Sequence, residues 1–356
     1  MANLPQLIDP AGYRPCDWDL AACPAGLAYW LGVFRWHLDE VLVPLIRAEY
    51  DPTLAGLEAF RADYLAAYAA VERDPRRFPR VDVLLFTEIR EQMHARHGFA
   101  DPFRGLKQRE NEAALALLPG VLAEIDAAEP QARTALLAAG LMAGNIFDLG
   151  SRSTIELHRN GLTAFAASRA ALPARPWLVD DLDPYARRCG ARPSWRHAVF
   201  FVDNCGSDIV LGCLPFAREL CRAGTPVTLA ANTGPALNDI TAAELVPLLG
   251  RAAESDPVIA AAWDSRSASA QTGRLRVAAT GSHTPLIDLA ALAPDLAAAA
   301  ADADLLILHG MGRAIESNFH ARFTCDVLHT AVLKDAAVAA RIGGRVFDCV
   351  FRYLAK

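Results

Sequence analysis

The chain is short of the features that mark several large functional classes. Its 35 basic residues are outnumbered by 41 acidic ones, a formal net charge of −6. A general nucleic-acid binder is usually basic, and no Lys/Arg run offsets the deficit here. No apolar stretch reaches the roughly 18–20 residues that cross a bilayer, and the alanine-rich segment 289–301 is broken by Pro294 and Asp295. The start, MANLPQLIDPAGYRP, has no basic segment followed by an apolar block, so no secretory signal is expected. These absences set the expectation of a cytoplasmic protein with no nucleic-acid or membrane partner. None of the eight cysteines lies in a CxxC pair, which excludes zinc-ribbon spacing and leaves small core residues as their ordinary role. GxxxxGK[ST] is absent, so the chain is no P-loop kinase. GxSxG is absent, which removes the common α/β-hydrolase. Gly310-Met311-Gly312-Arg313 lacks the third glycine of a dinucleotide fingerprint.

What is present falls into two rhythms. With 356 residues and 53% hydrophobic content, the chain can bury one large core. From about Leu27 to Arg169 apolar residues recur at three- and four-residue spacing, as in LAYWLGVFRWHLDEVLVPLIRAEY, which predicts helices. Asp51-Pro52, Asp74-Pro75, Asp101-Pro102 and Glu129-Pro130 punctuate them, because the residue before proline resists helical geometry. After a Pro/Arg-rich stretch the pattern changes to strands, expected at 198–202, 227–231, 275–279, 305–308, 327–333 and 346–351. Helices are expected between them at 209–222, 241–253, 289–301 and 335–341. The division predicts a helical subdomain over 1–175 and an α/β domain over 176–356, its mostly parallel sheet covered on both faces.

In such a sheet, ligands bind outside the carboxyl ends of the strands. Successive strand ends here carry Asp203-Asn204, then Asn238-Asp239, Gly281-Ser282-His283, His309-Gly310-Met311-Gly312-Arg313 and Lys334. Asp203, Asn204 and Asp239 offer hard oxygen donors suited to Mg²⁺ or Mn²⁺. Arg313 and Lys334 offer positive charge. The glycine turns at Gly281-Ser282 and Gly310–Gly312 offer backbone amides, and that combination suits a phosphate ester. Asp208 is expected to face the site from the start of a helix. Each piece also has an ordinary reading. The Asp/Asn pairs could cap helices, Arg313 and Glu316 could form a helix pair, Lys334 could sit on the surface, and His283 and His309 could be hydrogen-bonded structural residues rather than substrate contacts.

Five segments carry a family likeness: LKQRENEAAL, AGNIFDLGS, FVDNCGSDIVLGCLPFARELCRAGTPVTLAANTGPALNDIT, DADLLILHGMGRAIESN and GGRVFDCVFRY. On these the chain resembles the metal-dependent damage-control phosphatase family, in the branch that includes the C-terminal phosphatase domain of pantothenate kinase 4 and its stand-alone plant relatives. The resemblance implies a three-layer α/β/α sandwich with a doubly wound sheet and an N-terminal helical part. It implies a divalent metal (Mn, Mg, Ni or Co) on Asp203, Asn204 and Asp239. It also implies that Asn145 and Asp148, together with Glu110-Asn111, bring the helical half to the site, with Lys334 on the phosphate side. The implied catalytic set is Asp203, Asp239, Lys334 and Asp208. The implied activity is hydrolysis of small phosphomonoesters, either sugar phosphates or phosphopantetheine-type compounds. Cys205 and His309 stand where relatives often carry other residues. Two other readings remain. A carboxyl methyltransferase using S-adenosylmethionine is disfavoured by a first turn with only Gly206. The other is a non-catalytic phosphometabolite binder. Assembly as a homo-oligomer is left open.

Overall fold

A computed structural model describes residues 1–146, 153, 165–191, 195–263 and 273–356. Asp148, singled out above, lies outside the described residues. One sheet runs β1 (Val179–Asp180), β7 (Cys349–Leu354), β6 (Asp326–Val332), β5 (Leu305–His309), β2 (Ala198–Phe201), β3 (Val227–Ala231) and β4 (Leu275–Ala279), in that spatial order. Neighbours are parallel except β6 and β7, which pair antiparallel. The fold is therefore α/β with a mostly parallel, doubly wound sheet. Its winding reverses between β2 and β5, the crevice where such sheets take ligands.

The continuous apolar runs follow from burial on both faces. Val199 and Phe201 of β2 pack into one core with the helices Pro24–His37, Leu54–Arg73 and Val83–Arg96. Ala198, Phe200 and Val202 pack into the opposite core with the helices Arg104–Ala127, Pro130–Asn145 and Leu214–Arg222. The first half of the chain thus supplies helices to both outer layers, and each core crosses the change of rhythm near residue 175. The two-residue strand β1 was not expected. The last strand begins at Cys349 rather than Val346, because Phe347 has a positive φ of 70° that extended pairing does not accept. The helix expected over 289–301 forms only at Pro294–Ala299, since proline favours the first turn of a helix.

Glycines set the distance between the helix Pro130–Asn145 and the π-type turn Asp208–Cys213. A Cβ on Gly144 would lie 2.8 Å from Asp208 Cα and 2.8 Å from Ser207 O. A Cβ on Gly212 would lie 3.0 Å from Gly140 O. Backbone therefore meets backbone, and Asn145, the last residue of that helix, is carried into the crevice. Gly144→Ala should lower stability by about 1–3 kcal/mol through overpacking, seen as a fall in Tm. An unchanged Tm would contradict this close contact.

Candidate active site

The two Asp/Asn motifs lie side by side because their loops are stitched together. Cys205 N–H donates to Asn238 O at 2.9 Å, and Ile240 N–H donates to Asp203 O at 3.0 Å. Neither motif caps the helix that follows. Thr241 takes that role for Ala242–Ser255, in a capping box with Glu244. The side chains of Asp203, Asn204 and Asp239 are left to form the floor of a cavity of about 520 Å³.

Arg313 lies fully buried beneath this floor. It stands in a π-type turn, Met311–Glu316, that opens directly after β5. Its Nη1 donates to Asp203. Its Nη2 donates to Asp239 Oδ2 at 2.7 Å and to Asn232 Oδ1 at 3.1 Å. Burial alone would lower the Arg313 pKa, but Asp239 and Asp203 hold it above the ordinary arginine range. Gly310 makes the approach possible. It has φ of 91°, and a Cβ there would lie 2.1 Å from Asp203 Oδ2.

A second set of groups holds the amides. Asn145 Nδ2 donates to Asp203 Oδ2 at 2.9 Å and Asp208 Oδ2 at 3.0 Å. Asn204 Nδ2 donates to the same two oxygens, at 3.0 Å each. With both N–H groups committed, the Asn204 carbonyl oxygen is the atom left to act as a ligand. Asp208 is itself held by His309 Nε2 at 2.6 Å, whose Nδ1 meets Thr330 Oγ1 at 2.7 Å. Burial pushes the Asp208 carboxyl up, yet His309, Asn145 and Lys334 together hold it below the ordinary carboxylate range. Lys334 Nζ donates to Asn145 O at 2.8 Å, and the residue borders the cavity.

The donor chemistry fits a hard divalent cation. Two carboxylates and an amide oxygen converge on one buried floor, with one guanidinium to offset part of their charge. The ligating atoms of Asp208, Cys213 and His309 also lie within 4.8 Å of one another. There the carboxylate and imidazole are hydrogen-bonded together behind Asn204, and none of the three reaches the cavity.

The sequence profile of the damage-control phosphatase ARMT1-like domain matches residues 43–350. The chain belongs to this family. It is 37% identical to a damage-control phosphatase of Arabidopsis thaliana, over 99% of this chain and 97% of that one. It is 38% identical to a pantothenate kinase 2 of Arabidopsis thaliana over 98% of its own length, yet spans only 41% of that longer relative. It is 32% identical to a 4′-phosphopantetheine phosphatase of Mus musculus, over 99% of this chain and 48% of that one. A DUF89 family protein of Pyrococcus horikoshii has a similar fold, with a TM-score of 0.58 and 16% identity over 91% of this chain and 96% of that one.

The crevice gathers some of the residues singled out in the sequence and not others. Asp203, Asn204, Asp239, Gly312, Glu316 and Lys334 border the cavity. Asn145, Asp208, His309 and Arg313 lie behind it, fully buried. His309 touches Asp208 and Thr330, not the cavity. Asn111 Oδ1 accepts from Gly206 N at 2.7 Å, and Glu110 packs against the same glycine. These two secure the first turn rather than the cavity wall. The amides of Gly281 and Ser282 donate to Thr233 Oγ1 at 2.7 Å and Thr280 Oγ1 at 3.1 Å, and that of Gly310 donates to Thr330 O at 2.9 Å. All three amides are committed to acceptors within the protein. His283 is exposed and packs over Gly234.

Three participants were missed. Asn232 bridges Asp239 and Arg313, with its Nδ2 3.0 Å from Asp239 Oδ2. The helix Pro24–His37 forms an aromatic wall with Tyr29, Trp30, Phe34 and Trp36. Lys107 joins Asp101 at 2.8 Å to Glu244 at 2.7 Å, tying the helical half to the Asp239 loop. A signal for Lys107 existed. Lysine occurs only at 107, 334 and 356 in a chain that otherwise uses arginine, and the first two are buried.

Replacing Arg313 tests the charge balance. Arg313→Met leaves two facing carboxylates uncompensated and should cost about 3–5 kcal/mol. In chelator-treated protein Tm should fall, and added Mn²⁺ should raise it more than it raises the wild-type value. An equal Mn²⁺ shift in both proteins would contradict the assignment.

Proposed function

We infer that this chain is a metabolite-repair phosphatase that hydrolyses small phosphomonoesters with a divalent cation held by Asp203, Asn204 and Asp239. The observation that carries the cation assignment is the buried floor itself, two carboxylates and an amide oxygen opening onto one cavity. The chain is a phosphatase through its family and its near full-length relative. A divalent cation there would supply Lewis-acid polarisation of a phosphoryl oxygen.

The chain's own residues do the rest. Arg313 fixes the spacing of Asp203 and Asp239 by donating to both. Asp208, kept ionised beside His309, holds the Asn204 amide so that its oxygen faces the cavity. Lys334, a cation at the cavity wall beside Asn145, neutralises a phosphate oxygen there. In the net step a water oxygen bonds to phosphorus and the ester P–O bond breaks. The water's proton ends on the leaving alkoxide. The aromatic wall on Pro24–His37 excludes bulk water from one side. The finer substrate reading is a phosphopantetheine-type ester, supported by the similarity to the mouse 4′-phosphopantetheine phosphatase and by a cavity of about 520 Å³ whose wall includes Tyr29, Trp30, Phe34 and Trp36.

Asp203→Ala should reduce chelator-sensitive release of phosphate from p-nitrophenyl phosphate by about a hundredfold or more, with far-ultraviolet circular dichroism unchanged. Wild-type turnover in that variant would refute the ligand assignment.

A further inference from the structure

Outside the phosphate end, a buried arginine in the cavity wall has an N–H group with no hydrogen-bond partner among the described residues. Arg90 is 3% exposed and sits on the helix Val83–Arg96. Its Nε donates to Glu91 Oε1 at 2.8 Å. Its Nη2 is buried with no hydrogen-bond partner among the described residues. Its guanidinium lies over the Phe34 ring, 5.6 Å from the centroid. Arg90, Phe34, Asp203 and Lys334 all border the same cavity. Thr87, one turn earlier on the helix, offers no competing donor, since its hydroxyl donates to Leu84 O at 2.8 Å.

Leaving an arginine donor unmade in a water-poor wall is costly, so such a group points to an acceptor brought by a ligand. Charge narrows the acceptor. Arg90 is already paired with Glu91, and the two side chains are 4% and 12% exposed. His94 nearby is held neutral, lowered to about 3 by burial, with Arg90 and His37 adding to the effect. The immediate surroundings of Arg90 on its own helix are therefore close to neutral. A neutral carbonyl oxygen takes the free N–H without adding charge, whereas a carboxylate would leave a buried negative excess.

We propose that Arg90 is a specificity-determining residue that donates to an amide carbonyl on the organic group of the substrate, while Phe34 and Trp30 pack against the apolar chain between that carbonyl and the phosphate. This rests on the phosphatase reading above and adds a second point of recognition to the same cavity.

The test uses matched alkyl phosphates: one with an amide in its chain, one in which methylenes replace the amide, and one ending in a carboxylate. Inorganic phosphate release gives kcat and KM for each with the Mn²⁺-loaded enzyme. Wild type should prefer the amide ester. In Arg90→Lys, which keeps a cation beside Glu91 but loses the fork, the amide-to-methylene ratio of kcat/KM should fall about tenfold. The change should lie in KM. The double variant Arg90→Met with Glu91→Gln, which leaves no unpaired charge, should show the same loss. A variant that only damages the fold lowers both esters in parallel, and an unchanged ratio overturns the proposal. A wild-type preference for the carboxylate ester overturns the choice of a neutral acceptor. If wild type releases phosphate from none of the three, the phosphatase reading fails and this inference falls with it.

Discussion

Two buried carboxylates facing one guanidinium form the constraint on which the site depends. Asp203 and Asp239 come from separate strand ends and would repel each other in a dry crevice. Arg313 donates to both, so the pair is held together with a net single negative charge. That arrangement can persist without a metal and still attract one. The rest of the local architecture serves it. Gly310 lets the chain pass against Asp203, Asn232 spans Asp239 and Arg313, and the stitched loops keep the two motifs in register.

The second dependency is the junction between the halves of the chain. Asn145 reaches Asp203 and Asp208 only because glycines let its helix touch the turn at Asp208–Cys213. Lys107, Asn111 and Glu110 secure the same junction from the helix Arg104–Ala127. The helical half thus fixes the geometry of carboxylates and an amide that all come from the α/β half, and its aromatic helix lines the cavity. Stability and function share these contacts, so substitutions far from the floor in sequence act on it directly.

Much of this was legible in the sequence. Strands β2, β3, β5 and β6 announced themselves as apolar runs ending in polar turns, because each is buried on both faces, whereas β4 is a half-buried edge strand. That rule also placed Asp203, Asn204, Asp239 and Lys334 at one edge. The antiparallel direction of β7 was not visible, since a buried strand reads the same in either direction. The roles of the glycines were misjudged for a related reason. A glycine turn after a strand can present amides to an anion or make room for a neighbour, and spacing does not separate the two. At Gly310 and Gly281 the structure shows amides committed to the protein. Arg90 and the wall of Pro24–His37 were hidden because an amphipathic helix shows that it has a buried face, not what that face meets.

The central claim is that Asp203, Asn204 and Asp239 form one cation site. Calorimetric titration of chelator-treated protein with Mn²⁺ tests it most directly. The account predicts one ion per wild-type chain and no saturable binding in Asp239→Ala. Binding of undiminished affinity and stoichiometry in that variant would contradict it.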